Sequence, residues 1–145
     1  MITFDIDELT DFRKITKDID KKFQKDSKKL INSAGMAFKQ IAKGEYMSKT
    51  GKKTGLLRKS LTKAKAYKWH GRWQVRVKNK APHAHLLEYG HRMVDWHTGK
   101  VSQKTPYVKG RFPMDAAAAA FAEPFNKMCE DFIDEFIENL GEGKE

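Results

Sequence analysis

The chain has 145 residues, 39% of them apolar and 33% charged, with a formal net charge of +10. It is long enough for one domain with a modest core, and its 11% aromatic content excludes a wholly disordered polymer. The longest apolar run, Ala116 to Ala122, falls far short of the roughly 20 residues of a membrane span, and a single cysteine, Cys129, excludes an intrachain disulfide and any cysteine-based zinc site.

The opening MITFDIDEL lacks a basic segment followed by an apolar one, so folding in the cytoplasm, with no signal peptide and no membrane partner, is expected. Charge is distributed unevenly. Residues 1–80 hold 22 Lys and Arg against 8 Asp and Glu, a net of +14, whereas residues 81–145 hold 7 against 11, a net of −4. Residues 38–80 carry 14 cations and one acid, Glu45. Such a stretch either meets phosphate by counterion release or forms a solvated face able to dock on an acidic neighbour.

In chain order, the first element is a long helix over residues 5–43. Leu9, Phe12, Ile19, Phe23, Leu30, Ala34, Ala37 and Ile41 recur at three- and four-residue steps. A helix of that length exceeds the needs of a small core, so part of its stripe is expected to pack on another chain, or the helix to break near Ser33-Ala34-Gly35. Gly44 is read as its C-cap. The polar, glycine-bearing GEYMSKTGKKTG of residues 44–55 is read as a loop.

Residues 61–78 predict a hairpin. Tyr67 and Trp69 alternate with Ala66 and Lys68 before His70-Gly71, and Trp73, Val75 and Val77 alternate with Gln74, Arg76 and Lys78 after it. One face is expected to be aromatic and aliphatic and the other cationic, with the tryptophans covering a sheet core rather than stacking on bases. A helical turn is predicted from His83 to Tyr89. Residues 90–112 read as a long loop, with room for a second hairpin around Thr98-Gly99. From Pro113 a second helix runs to about residue 140, with an apolar stripe through Ala117, Phe121, Phe125, Met128, Phe132, Phe136 and Leu140. Pro124 is expected to kink or split it, and its other face is acidic. The fold class is therefore α+β: a long N-terminal and a C-terminal helix packed on a small antiparallel β-sheet. A single domain over 1–145 is expected, divided into the helix 5–43, a hairpin region with loops 55–112 and the helix 113–140.

Chemistry-bearing motifs are weak. His83, His85, His91 and His97 with Glu88 lack any metal-ligand spacing. No serine sits in a nucleophile elbow, and Cys129 lies in a helical stripe without a histidine partner. TGKKTG at residues 50–55 follows a helix rather than a strand and lacks the full phosphate-loop pattern. No catalytic residue, metal or cofactor is assigned, and no enzyme is expected.

Three segments carry a resemblance: TGLLRKSL from Thr54, APHAHLLEYGHR from Ala81 and GRFPMDAAAAAF from Gly110. Their order resembles the lambdoid-type bacteriophage tail-component family, related to the tail-completion and head-tail joining proteins of long-tailed phages. It departs from that family's pattern at His91, often a threonine there, and in the order Phe112-Pro113.

The resemblance implies a non-catalytic virion protein of the neck or upper tail, assembled in the host cytoplasm. It implies rings, often hexameric, built from copies of the chain and joined to other neck and tail proteins, with DNA passing through. It also directs attention to Gly55, Leu56, Arg58, Glu88, Tyr89, Gly90, Phe112 and Pro113 as fold or assembly residues, with Arg58 expected to pair with an acid, either Glu88 or one on a neighbouring chain. Lys49, Lys52, Lys53, Lys59, Lys63 and Lys65 form a candidate basic contact face. The alternative is a basic DNA-binding protein that contacts phosphates non-specifically through residues 49–80.

Overall fold

The computed structural model of the protein describes residues 6–50 and 55–142. Helix α1 (Ile6–Thr50) is followed by the short helix α2 (Leu56–Lys59) and strands β1 (Leu61–Lys63), β2 (Tyr67–Trp69), β3 (Arg72–Gln74) and β4 (Val77–Asn79). Helix α3 (Ala84–Tyr89), strands β5 (Gly90–Arg92) and β6 (Tyr107–Lys109) and helix α4 (Pro113–Glu142) complete the order. The fold is α+β as expected, but the strands form three two-stranded antiparallel sheets, β1–β4, β2–β3 and β5–β6.

At 45 residues, α1 is about 67 Å long. It neither breaks at Ser33-Ala34-Gly35 nor stops at Gly44. Glycine inside a helix costs only about 1 kcal/mol against alanine, and burial on both sides of Gly44 outweighs it: Ala42 is 0% and Tyr46 2% exposed. Residues 44–50 are thus the last turns of the helix rather than a loop. The end is fastened by a reciprocal pair, in which Lys49 Nζ donates to the Arg111 carbonyl at 2.7 Å and Arg111 Nη1 donates to the Lys49 carbonyl.

Gly35 has a different task. A Cβ built there would lie 2.7 and 2.9 Å from the two Val75 methyls and 3.0 Å from Lys63 Cδ, so the missing side chain lets the hairpin approach the helix. Gly44 has nothing within 4 Å. Gly35→Ala is therefore expected to lower stability by about 1–2 kcal/mol, overpacking outweighing helix propensity, and Gly44→Ala to raise it by about 1 kcal/mol. Urea unfolding of the two variants checks this, and equal shifts would contradict the assignment.

The first hairpin is one ladder interrupted by a bulge. Lys63 faces Val77, but the next pair is Tyr67 with Gln74, so the first strand advances four residues while its partner advances three. The extra residue leaves the Ala66 N–H outside the ladder. Asn32 on α1 receives it, its Oδ1 3.0 Å from Ala66 N and 3.1 Å from Lys63 Nζ. A one-residue slip turns side chains to the opposite face. Trp73 consequently faces α1, its Nε1 donating to Gln24 Oε1 at 3.0 Å, whereas Trp69 is 58% exposed. The expected continuous aromatic face is divided, and only Trp73 covers the helix. The turn is His70-Gly71, both at positive φ (46° and 75°), as a two-residue primed turn requires.

Helix α4 runs antiparallel to α1. Phe38 meets Phe121 at 5.5 Å between ring centroids, and Phe23 meets Phe132 and Phe136 at 5.8 and 5.2 Å. Pro124 lies inside α4 without dividing it. It removes one bond, to the Ala120 carbonyl, and both residues are exposed, so water replaces the lost donor. The buried core is small: Ala42, Tyr46, Leu61 and Ala117, flanked by Phe38, Ile41, Leu57, Val77, Leu87 and Met114. It joins the C-terminal half of α1 to the start of α4. N-terminal to Phe23 the stripe of α1 stays open: residues 10–20 are all exposed, Phe12 at 64%.

Candidate assembly surface

Glu88, Tyr89, Gly90, Phe112 and Pro113 gather at one joint, whereas Gly55, Leu56 and Arg58 lie at and beside α2. The joint lies where α3 ends and α4 begins. Glu88 is 8% exposed, and its carboxylate accepts from the backbone N–H of Met114 (3.2 Å to each oxygen) and of Asp115 (3.4 Å). The first turn of a helix has unpaired N–H groups and a partial positive charge, so a buried carboxylate there satisfies both. Glu88 therefore anchors α4 and does not pair with Arg58, whose Nη1 lies 3.2 Å from Met47 Sδ.

Gly90 (φ 83°) and Gly110 cross at backbone contact. A Cβ on Gly90 would lie 2.4 Å from the Val108 carbonyl oxygen, and one on Gly110 2.3 Å from that of Glu88. Phe112, at φ 47°, turns the chain into α4, and Pro113 fills the first helical position and is buried. Tyr89 is 69% exposed and accepts the Tyr107 hydroxyl on its carbonyl at 2.9 Å. Tyr46 sits in the core beside this joint. Burial raises its pKa above the usual tyrosine value, the Glu88 carboxylate adds to that, and contact with the Asn79 side chain pulls the other way.

At the start of α2, Gly55 is left-handed (φ 65°), and its carbonyl accepts from Lys59 N at 2.9 Å. Leu56 is 45% exposed while Leu57 packs on the core. Of the expected basic face, Lys52 and Lys53 lie outside the described residues. Lys49 and Lys63 are held by the contacts already given. Lys59 and Lys65 are exposed.

The wider charge pattern is sharper than that set of six. Residues 55–80 hold nine Lys and Arg and no acid, and α4 holds eight acids against Lys127. Among the described residues the only ion pairs are Lys14–Asp11 (3.9 Å) and Lys29–Asp26 (3.3 Å), both within α1. Among the described residues, neither the basic hairpin nor the acidic helix takes part in an ion pair. Trp73 is covered by Lys28 and Lys68, each with Nζ 5.8 Å from the ring centre, so it is not a free stacking platform. Among the described residues, no three His, Cys, Asp or Glu side chains are grouped as a metal site, and no helix is long and apolar enough to cross a membrane.

A family model described as “Bacteriophage HK97-gp10, putative tail-component” matches residues 11–90. The chain belongs to this HK97-gp10-like family of phage tail components. The match takes in α1 from Asp11, α2, the first hairpin and α3, and so contains the first of the three segments that carry the resemblance in sequence and the second as far as Gly90. The β5–β6 hairpin beyond Gly90 and all of α4 lie outside it. No curated protein and no solved structure matches the chain. Membership in the HK97-gp10-like family points to a structural role within the virion, among other tail proteins.

Proposed function

We propose that this tail component works at the neck or upper tail, in tail completion or head-tail joining, as a non-catalytic single domain that assembles into a ring. The observation that carries the reading is the separation of charge into two faces that do not neutralise each other. A ring is built from heterologous contacts, each needing two different and complementary surfaces on one subunit. The hairpin region 55–80, at +9, and α4, at −7, supply surfaces of opposite sign. Assembly would take place in the host cytoplasm and the ring would then reside in the virion against neighbouring neck and tail proteins.

The test is the native mass of the full chain by light scattering over a concentration series, with electron microscopy of the largest species. The expected result is a discrete oligomer, roughly six copies if the ring closes as a cyclic assembly. Lys59→Glu with Lys65→Glu is expected to shift it toward monomer, and Glu130→Lys with Asp134→Lys on the same chain to shift it back. A monomer that binds duplex DNA with steep salt dependence would overturn this reading in favour of phosphate contacts through residues 49–80.

A further inference from the structure

Two features lack a counterpart among the described residues. One is the β5–β6 hairpin. Beyond its paired strands, Val94 bridges to Val101, and the tip is closed by Asp95 N to the Lys100 carbonyl (2.8 Å), Gly99 N to the Asp95 carbonyl (2.7 Å) and His97 N to Asp95 Oδ1 (2.9 Å). On this ordered tip Trp96 is 85% exposed, with Val94 53% exposed beside it. Every residue from 92 to 101 is exposed. A large aromatic side chain held in water by a hydrogen-bonded turn is a preorganised anchor, since little ordering remains to be done on binding.

The other feature is an open groove of about 410 Å³ between α1 and α4. Leu30, Met128, Phe132 and Phe136 supply its apolar lining, and Asp131 and Glu135 stand among its charged residues. Asp26 and Lys29, also lining it, pair with each other at 3.3 Å, which leaves Asp131 and Glu135 without an ion pair among the described residues. No residue of the β5–β6 hairpin lines the groove. Charge is complementary: residues 90–109 carry Arg92, Lys100, Lys104 and Lys109 against Asp95 alone.

We infer that the β5–β6 hairpin of one copy docks into the α1–α4 groove of a second copy, with Trp96 as the anchor. This contact rests on the ring reading above, but the basic element it sets against α4 is the β5–β6 hairpin rather than the region 55–80. The hairpin returns to the body at Gly110, beside the start of α4 at Pro113, and the groove opens from Met128 onward, about 22 Å further along the helix. Knob and groove therefore occupy different ends of α4, and each copy offers one of each. That is a head-to-tail contact, which repeats until it closes. The basic arm would meet Asp131 and Glu135 as Trp96 enters the apolar floor.

The test compares self-association of the full chain, by light scattering and native mass spectrometry, in wild type, Trp96→Ala and the double variant Asp131→Lys with Glu135→Lys. All three altered side chains lie on exposed positions, and unchanged circular dichroism confirms folding. Each variant is expected to weaken association by about thirtyfold or more, the effect of losing an interface anchor. An equimolar mixture of the two variants should form a discrete heterodimer, because the groove of one and the hairpin of the other remain intact. Wild-type rings with Trp96→Ala rings of equal strength would overturn this contact and leave the ring reading standing. Loss in the groove variant alone would assign the groove another occupant and also overturn it. A wild-type chain that stays monomeric to about 1 mM, the weakest association the method resolves, would overturn both the contact and intrinsic ring formation.

Discussion

Glu88→Ala is expected to cost about 3 kcal/mol of folding stability, from lost charge-assisted hydrogen bonds and the lost carboxylate at a helix N-terminus. The residue is buried, and its two oxygens serve the N–H groups of Met114 and Asp115 at the head of a 30-residue helix. Alanine would take the acceptor from those half-buried donors and remove the negative charge that faces the helix dipole. Glu88→Gln keeps one acceptor oxygen and loses the charge, so its cost should fall between alanine and wild type. Urea denaturation gives the stabilities, and amide exchange at Met114 and Asp115 shows whether the loss is local. An alanine variant within about 0.5 kcal/mol of wild type, the range of ordinary surface changes, would mean that the carboxylate does not hold α4. The joint would then have to owe its position to Pro113 and the glycine crossing alone.

Glu88 also shows where the sequence stops being informative. Its motif, Glu-Tyr-Gly, is legible, and so is the helical turn that carries it. The partner is not, because backbone N–H groups 26 and 27 residues away have no sequence signature. Arg58 was the natural expectation because it is a visible opposite charge. The hairpin tells the same story at strand level. Alternation and His70-Gly71 locate the turn, but the bulge at Ala64-Lys65-Ala66 has no marker. What fixes it is Asn32, 34 residues earlier on α1. Gly44 does not end the helix because local propensity is worth about 1 kcal/mol, less than burying Tyr46 two residues further on. The long stripe of α1 extends beyond what one core covers, since Phe12 and Ile19 in it stay exposed at 64% and 36%.

Tyr46→Ala is expected to be the most damaging single change, costing about 4 kcal/mol as a buried aromatic truncation that leaves a cavity. Tyr46 is 2% exposed in a buried core cluster of four residues, and the other three are Ala42, Leu61 and Ala117, so little neighbouring bulk can collapse into the space. In a marginally stable domain that loss removes most of the folded population. The conservative Tyr46→Phe separates packing from ionisation. The phenol's folded pKa lies above its unfolded value of about 10, so near that pH the unfolded chain releases its proton first. Stability from the neutral hydroxyl is therefore complete below pH ~10 and falls as pH rises through the folded pKa. Urea midpoints from pH 8 to about 11, bracketing that unfolded value, should decline more steeply for wild type than for Tyr46→Phe. The Glu88 carboxylate repels the phenolate, so in Glu88→Gln the folded pKa moves toward the unfolded one and the decline flattens. A wild-type slope indistinguishable from Tyr46→Phe would show that the hydroxyl titrates freely in the folded state, which its burial beside Glu88 does not allow.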